Sequence, residues 1–254
     1  MNKINVVDNK IIPFDNTDVI LNNNIITFTN NGDYYLEYIT SNNVNITINV
    51  EDNVCVQLFE YSNNNDINTN ITYNLGKNSS LIISKFYYND NTNEEINIYL
   101  NKKNANIKYN FSSISNNDNF YKINVYHLDN NTSSDVFNRI VAKENSSNYF
   151  DINSYVDNGI KDCYLNQSTK IVTLGDSDNR VNPNMFISEE DVTAIHSSTI
   201  GSINEEDLFY LMSRGISYND SVKLIIKGMI LSNINPDMEN MERILSILDS
   251  IGGE

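Results

Sequence analysis

From about residue 41 the chain alternates apolar and polar residues with a period of two. Val44, Ile46, Ile48 and Val50 share one phase, and Asn and Thr fill the other. The pattern returns at Ile71, Tyr73 and Leu75; at Leu81, Ile83 and Lys85; and at Ile96, Ile98 and Leu100. It continues at Ile107, Tyr109 and Phe111, then at Ile123, Val125 and His127. Successive side chains of a strand point to opposite faces, so this phase predicts strands with one buried face. The first 40 or so residues are less regular, with short apolar runs from Ile25 to Phe28 and Tyr34 to Ile39.

The breaks recur as well. Glu51-Asp52-Asn53, Gly76-Lys77-Asn78-Ser79 and Asn101-Lys102-Lys103-Asn104 fall about 25 residues apart, and Asp129-Asn130-Asn131 follows. Short strands joined by polar turns at that period predict a solenoid whose coils stack, with asparagine ladders at the turns. A sandwich or jelly roll also has many short strands. Between residues 41 and 150, however, no Asn-Gly or Asp-Gly marks a two-residue hairpin. The pattern therefore favours a β-helix over residues 1–201.

Near residue 202 the period changes. Asn204 is placed to cap a helix, with Glu205, Glu206 and Asp207 in its first turn and Ile203 and Leu208 as a hydrophobic staple. Gly215 suits the residue after that helix. Ser217 with Asp220 predicts a second helix carrying Val222, Leu224, Ile225, Met229 and Ile230. Asn235-Pro236 predicts a third, with proline at its first position. Its apolar stripe is Met238, Met241, Ile244, Leu245, Leu248 and Ile251, and Gly252-Gly253 ends it. Residues 202–254 thus read as a three-helix unit with one face to bury.

Composition adds limits. Asparagine supplies roughly one residue in five, interleaved with apolar strands, as an AT-rich coding sequence would give. The net charge is −16, which disfavours nucleic acid and anionic membrane surfaces as partners. Two cysteines are too few for a disulfide framework, and the N-terminus lacks the apolar core of a signal peptide. A reducing, cytoplasmic setting is the expectation. No phosphate loop, HExxH, GxSxG or CxxC occurs. Cys163 between Asp162 and Tyr164 reads first as a small buried hydrophobe, Cys55 as inert and His127 as a structural or turn-bonding histidine. His196, at the strand-to-helix junction, is the leading candidate for function, although one histidine without a nearby cysteine is weak support for metal.

The segment from residue 191 to 230 resembles the C-terminal signature of the SufB/SufD family of iron–sulfur cluster assembly proteins. The matching residues are His196, Gly201, Glu205, Leu208, Phe209, Tyr210, Leu211, Ser213, Arg214, Gly215, Ile216 and Gly228. Upstream, Gln167, Ile171 to Leu174, Pro183 and Ile187 fit the stretch before the histidine, and His127-Leu128 with Asn131 to Ser134 resembles a family turn. The resemblance implies a mainly β fold, a right-handed parallel β-helix core with a C-terminal helical domain. It implies a non-catalytic scaffold that docks a SufC-like ABC ATPase through Leu208, Phe209, Tyr210, Arg214, Gly215 and Ile216. It also implies a SufB-like or identical subunit as dimer partner. No stable cofactor is expected; a nascent iron–sulfur cluster would form transiently at the subunit interface, with His196 and Cys163 as candidate ligands. Ser168, Ser197 and Ala194 stand where SufB-like or SufD-like members carry Cys, Glu and Cys. The spacing after Gln167 and a start near the β core resemble a short, SufD-like member. A different class of β-helix protein, a polysaccharide lyase or hydrolase, would need Asp, Lys and Arg clustered on one coil face. Acids here are scattered, and arginine is scarce in the β region (Arg139 and Arg180).

Overall fold

A computed structural model describes residues 2–7, 9–12, 17–39 and 42–251. The chain opens with β1 (Asn2–Val7), β2 (Lys10–Ile11), β3 (Val19–Asn22) and β4 (Ile25–Phe28). It continues with β5 (Gly32–Ile39), β6 (Asn43–Val50), β7 (Cys55–Ser62), β8 (Asp66–Leu75), β9 (Ser80–Tyr87) and β10 (Asn91–Leu100). Next come β11 (Asn106–Ser115), β12 (Asp118–His127), β13 (Ser133–Lys143) and β14 (Ser147–Val156). The last strands are β15 (Cys163–Leu174), β16 (Asp178–Ile187) and β17 (Val192–Ser202). Odd strands from β5 to β17 pair in parallel as sheet A, and even strands from β4 to β16 as sheet B. The chain therefore winds between two sheets in a β-solenoid of about six turns, as the repeat length predicts. The irregular start also has a form: β1 with β2, and β3 with β4, are antiparallel pairs at one end of the stack.

Stacking keeps equivalent residues in columns. Ile46, Ile71, Ile96, Ile123 and Ile152 are successive register partners in sheet B. All five are buried and fill the lumen between the sheets. The corners explain the asparagine. Asn53, Asn78, Asn104 and Asn131 all take positive φ, between 52° and 64°. Asparagine tolerates this conformation better than most residues. The amide of Asn78 donates to Asn53 at 2.9 Å, and that of Asn104 to Asn78 at 2.7 Å. A second ladder, Asn97–Asn124–Asn153–Asn184, runs along the outside of sheet B.

Three helices follow: α1 (Glu205–Ser213), α2 (Tyr218–Leu231) and α3 (Met238–Ser250). Asn204 caps α1 by accepting from the amides of Glu206 and Asp207, and Gly215 beyond it has φ 88°. Ser217 accepts from the Asp220 amide and donates to its carboxylate. The third start differs from the expectation. Asp237 caps α3 by accepting from the Asn240 amide, so Pro236 lies outside the helix. An aspartate one residue past the proline offers the better-placed acceptor. Met238 in the first turn is 84% exposed instead of joining the stripe, and Leu224 of α2 is 50% exposed. The expected stop at Gly252-Gly253 lies outside the described residues.

The helices lie on the outer face of sheet A. Ile226, Ile230, Ile244 and Leu248 form one core with Tyr35, Phe59, Tyr61, Phe86, Ile114, Val141 and Val172. Each fully buried aliphatic side chain there contributes about 1.5–3 kcal/mol. Arg243 of α3 adds a polar tie: it donates to the Glu37 carboxylate at 2.8 Å and the Tyr35 hydroxyl at 3.0 Å. Its guanidinium also lies 4.4 Å from the Tyr61 ring centroid. Burial works to raise the Glu37 pKa, but hydrogen bonds from Lys3 and Arg243 hold it below the usual value.

Candidate functional site

The two ends of the solenoid are finished differently. Antiparallel pairs close the first. At the other, β16 and β17 are the outermost strands of their sheets. One inward column of sheet A runs Tyr34, Leu58, Ile83, Tyr109, Val136, Gln167 and His196, from coil to coil. It is apolar or aromatic through Val136 and turns polar at its last two places. The neighbouring column ends Asn138, Thr169, Ser198. The lumen therefore opens onto a polar mouth.

His196 stands at that mouth, exposed, opposite the buried Gln167. The Gln167 amide donates to Ser154 Oγ at 2.8 Å and to the Asn184 carbonyl at 3.3 Å. Its Oε1, and Oδ1 of Asn138, are buried acceptors that receive no hydrogen bond among the described residues. Such acceptors are costly in an apolar interior, so both suit a site that takes up a donor.

The β17 edge is itself unusual. Edge strands are normally blunted by charge, proline or a bulge, because their open N–H and C=O groups recruit other strands. All 11 residues of β17, VTAIHSSTIGS, lack charge and proline. Ile195 and Ile200 on it are 49% and 44% exposed, and Phe186 on β16 is 53% exposed.

The second cysteine candidate lies elsewhere. Cys163 pairs with Val192 at the start of β17, four positions before the Gln167–His196 pair, about 13 Å along the strand. Its thiol is buried with Val156 and Leu165, and Ile187 and Val192 pack against it. Sγ lies 3.2 Å from Thr132 Oγ1, which lies 2.8 Å from His127 Nδ1, while Nε2 of that ring meets Ser134 Oγ at 3.0 Å. Burial pushes the His127 pKa down to about 4. The ring is thus neutral at pH 7 and serves the turn, as its sequence position suggests. Cys55, read as inert, is exposed on β7. No group of three or more possible metal ligands occurs among the described residues of one chain.

Next to the mouth, α1 buries none of its residues. Phe209 is 76% exposed, Tyr210 58% and Met212 45%, with Tyr218 of α2 at 57%. Leu208 packs against the helical core. Arg214 is exposed, its guanidinium 5.4 Å from the Tyr210 ring. A Cβ on Gly215 would meet nothing within 4 Å, so its positive φ, not space, is what favours glycine there. These residues leave several large apolar and aromatic side chains facing solvent at this end of the helical unit.

Residues 19–229 match the profile described as SUF system FeS cluster assembly, SufBD core domain. The chain belongs to the SufBD core family. It is 30% identical over 96 residues to the iron-sulfur cluster assembly protein SufD of Bacillus subtilis, which is 37% of this chain and 22% of that protein. It is 43% identical over 44 residues to the SufD of Escherichia coli, 17% of this chain and 10% of that one. An iron-sulfur cluster assembly SufBD family protein of Mycobacterium leprae is 29% identical over 107 residues, 41% of this chain and 12% of that protein. The aligned segments thus span less than a quarter of the curated relatives' length.

Within this SufBD fold lies a polar centre that sequence reasoning passes over. Lys85 is fully buried in the lumen, 2.7 Å from Glu94 and 3.3 Å from Glu60. Glu60 also accepts from Tyr38 and Tyr73; Glu94 accepts from Thr69 at 2.7 Å and Tyr87 at 3.0 Å. Burial raises the pKa of these tyrosines well above its usual value, and the carboxylates reinforce it. The hydroxyls therefore stay protonated and donate. Lys85 already stood on the apolar phase of its strand, and that misplaced charge was the available signal.

Proposed function

We propose that this chain is a non-catalytic scaffold subunit of a SUF-type iron–sulfur cluster assembly complex. Its open coil pairs with a second SufBD-type subunit, identical or SufB-like, and its α1–α2 face docks a SufC-like ABC ATPase. The observation that carries this reading is β17: an 11-residue edge without charge or proline, next to a helix that buries none of its residues. An open, uncharged edge offers its N–H and C=O row to another strand.

In this reading His196 faces the joint between subunits and is the group offered to a nascent cluster, the cargo of the complex. Cys163, buried and about 13 Å along the strand, would reach that cluster only after a larger rearrangement of the coil end. No described helix is long and apolar enough to cross a membrane, and the complex is read as working in the cytoplasm.

Co-expression with the ABC ATPase and a SufB-like subunit from the same source tests the proposal. The three should co-purify. Phe209→Ala or Arg214→Glu should release the ATPase and leave the subunit pair intact. Ile195→Lys should break the pair, since a lysine blunts an edge strand. His196→Ala should keep the complex but lower the iron and sulfide recovered after reconstitution. A chain that stays monomeric and alone with both partners present would sink the scaffold reading. Undiminished reconstitution by His196→Ala would remove the histidine from the site.

A further inference from the structure

A groove of about 400 Å³ lies between the outer face of sheet A and the segment joining α2 to α3. Its lining includes Ser84, Lys108, Asn110, Phe137, Arg139 and Asn233, and no carboxylate among the described residues. That is unexpected in a chain with 33 acidic and 17 basic residues.

Arg139 is the key. Of the four arginines, Arg180 and Arg243 meet carboxylates and Arg214 is exposed. Arg139 is half-buried and meets only neutral acceptors. Its NH1 donates to the carbonyls of Asn138 at 2.8 Å and Ser168 at 3.2 Å, and both terminal nitrogens reach Ser168 Oγ at 3.4 Å. Its Nε makes no hydrogen bond among the described residues. Burial alone lowers its pKa, with no anion beside it among the described residues to offset the cost. A partly desolvated guanidinium without a counterion is unfavourable unless something supplies one.

Lys108 lines the same groove. Its ammonium and the Arg139 guanidinium each lie 5.9 Å from the Phe137 ring centroid, and neither forms an ion pair among the described residues. Asp135, the register partner of Lys108, instead accepts from Asn166 at 2.9 Å. The groove is also held open in advance. The Asn233 amide donates to the carbonyls of Phe111 at 2.9 Å and Phe137 at 3.2 Å, and to Ser112 Oγ at 3.1 Å. The Asn235 amide N–H donates to Ser84 Oγ at 3.2 Å. These bonds fix the connector against the sheet, so an entering anion finds its cations in place.

We propose that this groove binds a phosphate-class oxyanion, free or as a small monoester, at the Arg139 guanidinium, with the Lys108 ammonium on the same groove wall adding longer-range attraction. Guanidinium groups match the geometry of such anions, and the groove is larger than the anion alone requires. This site is separate from the mouth at His196 and from the α1 face.

Calorimetric titration with inorganic phosphate and with phenyl phosphate, at constant ionic strength set by chloride, tests it. The unmodified chain should bind one or both saturably. Arg139→Gln should weaken binding about tenfold or more, the loss of a charge-assisted hydrogen bond. Lys108→Gln, at an exposed position, should weaken binding without affecting the fold. Lys102→Gln, whose partner Asp52 is remote from the groove, should bind as the parent does. Binding of both probes assigns the groove to the oxyanion itself, and binding of the ester alone assigns it to monoesters. No saturable binding of either probe, or equal binding by Lys108→Gln and the parent, overturns the proposal.

Discussion

Replacing Lys85 with methionine tests the buried charge cluster of the lumen. Methionine keeps an unbranched stem of similar reach and removes only the ammonium. Glu60 and Glu94 then face each other in the lumen with no cation between them, since Lys85 is the one base touching either carboxylate among the described residues. The ammonium also sits 4.6 Å from the Tyr87 ring centroid, and methionine cannot replace that cation–π attraction. Removing one partner of a fully buried ion pair costs about 3–5 kcal/mol, because the remaining charge keeps its desolvation penalty. A domain of this kind has about 5–15 kcal/mol in total, so the variant should lose a large share of its stability. Urea unfolding followed by far-ultraviolet circular dichroism measures it. The triple variant Lys85→Met, Glu60→Gln, Glu94→Gln should recover at least half of the loss, because the uncompensated charges go with the lysine. The tyrosine hydroxyls keep carbonyl acceptors in that variant. A Lys85→Met loss below about 1 kcal/mol, or a triple variant less stable than the single, would refute the charge argument.

Four further outcomes follow from other parts of the structure. His127 has a folded pKa of about 4 against about 6.5 unfolded, so only the unfolded chain takes up its proton between these values. Its contribution is complete above pH 6.5 and is lost as pH falls toward 4. About 2 kcal/mol should disappear from pH 6.5 to pH 5, and His127→Gln should flatten that part of the urea-midpoint profile. Arg243→Ala removes the tie from α3 to Glu37 and Tyr35. It should cost about 1–2 kcal/mol and speed hydrogen exchange in α3 more than in β11. Gly76→Ala places a Cβ 2.5 Å from Asp52 Oδ1 and 2.8 Å from the Asp52 amide nitrogen. It should lower the thermal midpoint by an amount worth about 1–3 kcal/mol. Gly159→Ala, with open space around it, should show only the cost of its positive φ, about 1–2 kcal/mol.

Much of the fold was legible in the sequence, because its rules are local. Alternation from Val44 to Val50 and its later copies marked the strands, and the 25-residue spacing of polar breaks marked the coils. Asn204 and Ser217 announced their helices through the donors they satisfy. The third helix was misplaced by two residues because proline and aspartate both offered a start, and only the bond to the Asn240 amide separates them. Less of the site could be read, because it depends on register between distant strands. Nothing near His196 says that Gln167 lies opposite it, or that Cys163 lies four positions off. Likewise Glu60 and Lys85 lie 25 residues apart and become neighbours only because β7 stacks on β9, while Glu94 meets the same lysine across the lumen from β10. Arg139 looked like one of two stray arginines until the connector after α2 closed over its neighbours.

The helical unit reaches along sheet A from Tyr35 on β5 to Val172 on β15. That is six strands, roughly 24 Å at ordinary strand spacing. A bare solenoid frays from its ends, since each coil touches only its neighbours. Here the helices act as a splint, joining coils that otherwise never meet. A pull on α1 is therefore shared across the row of strands, and the body should turn as one rigid piece instead of peeling open coil by coil.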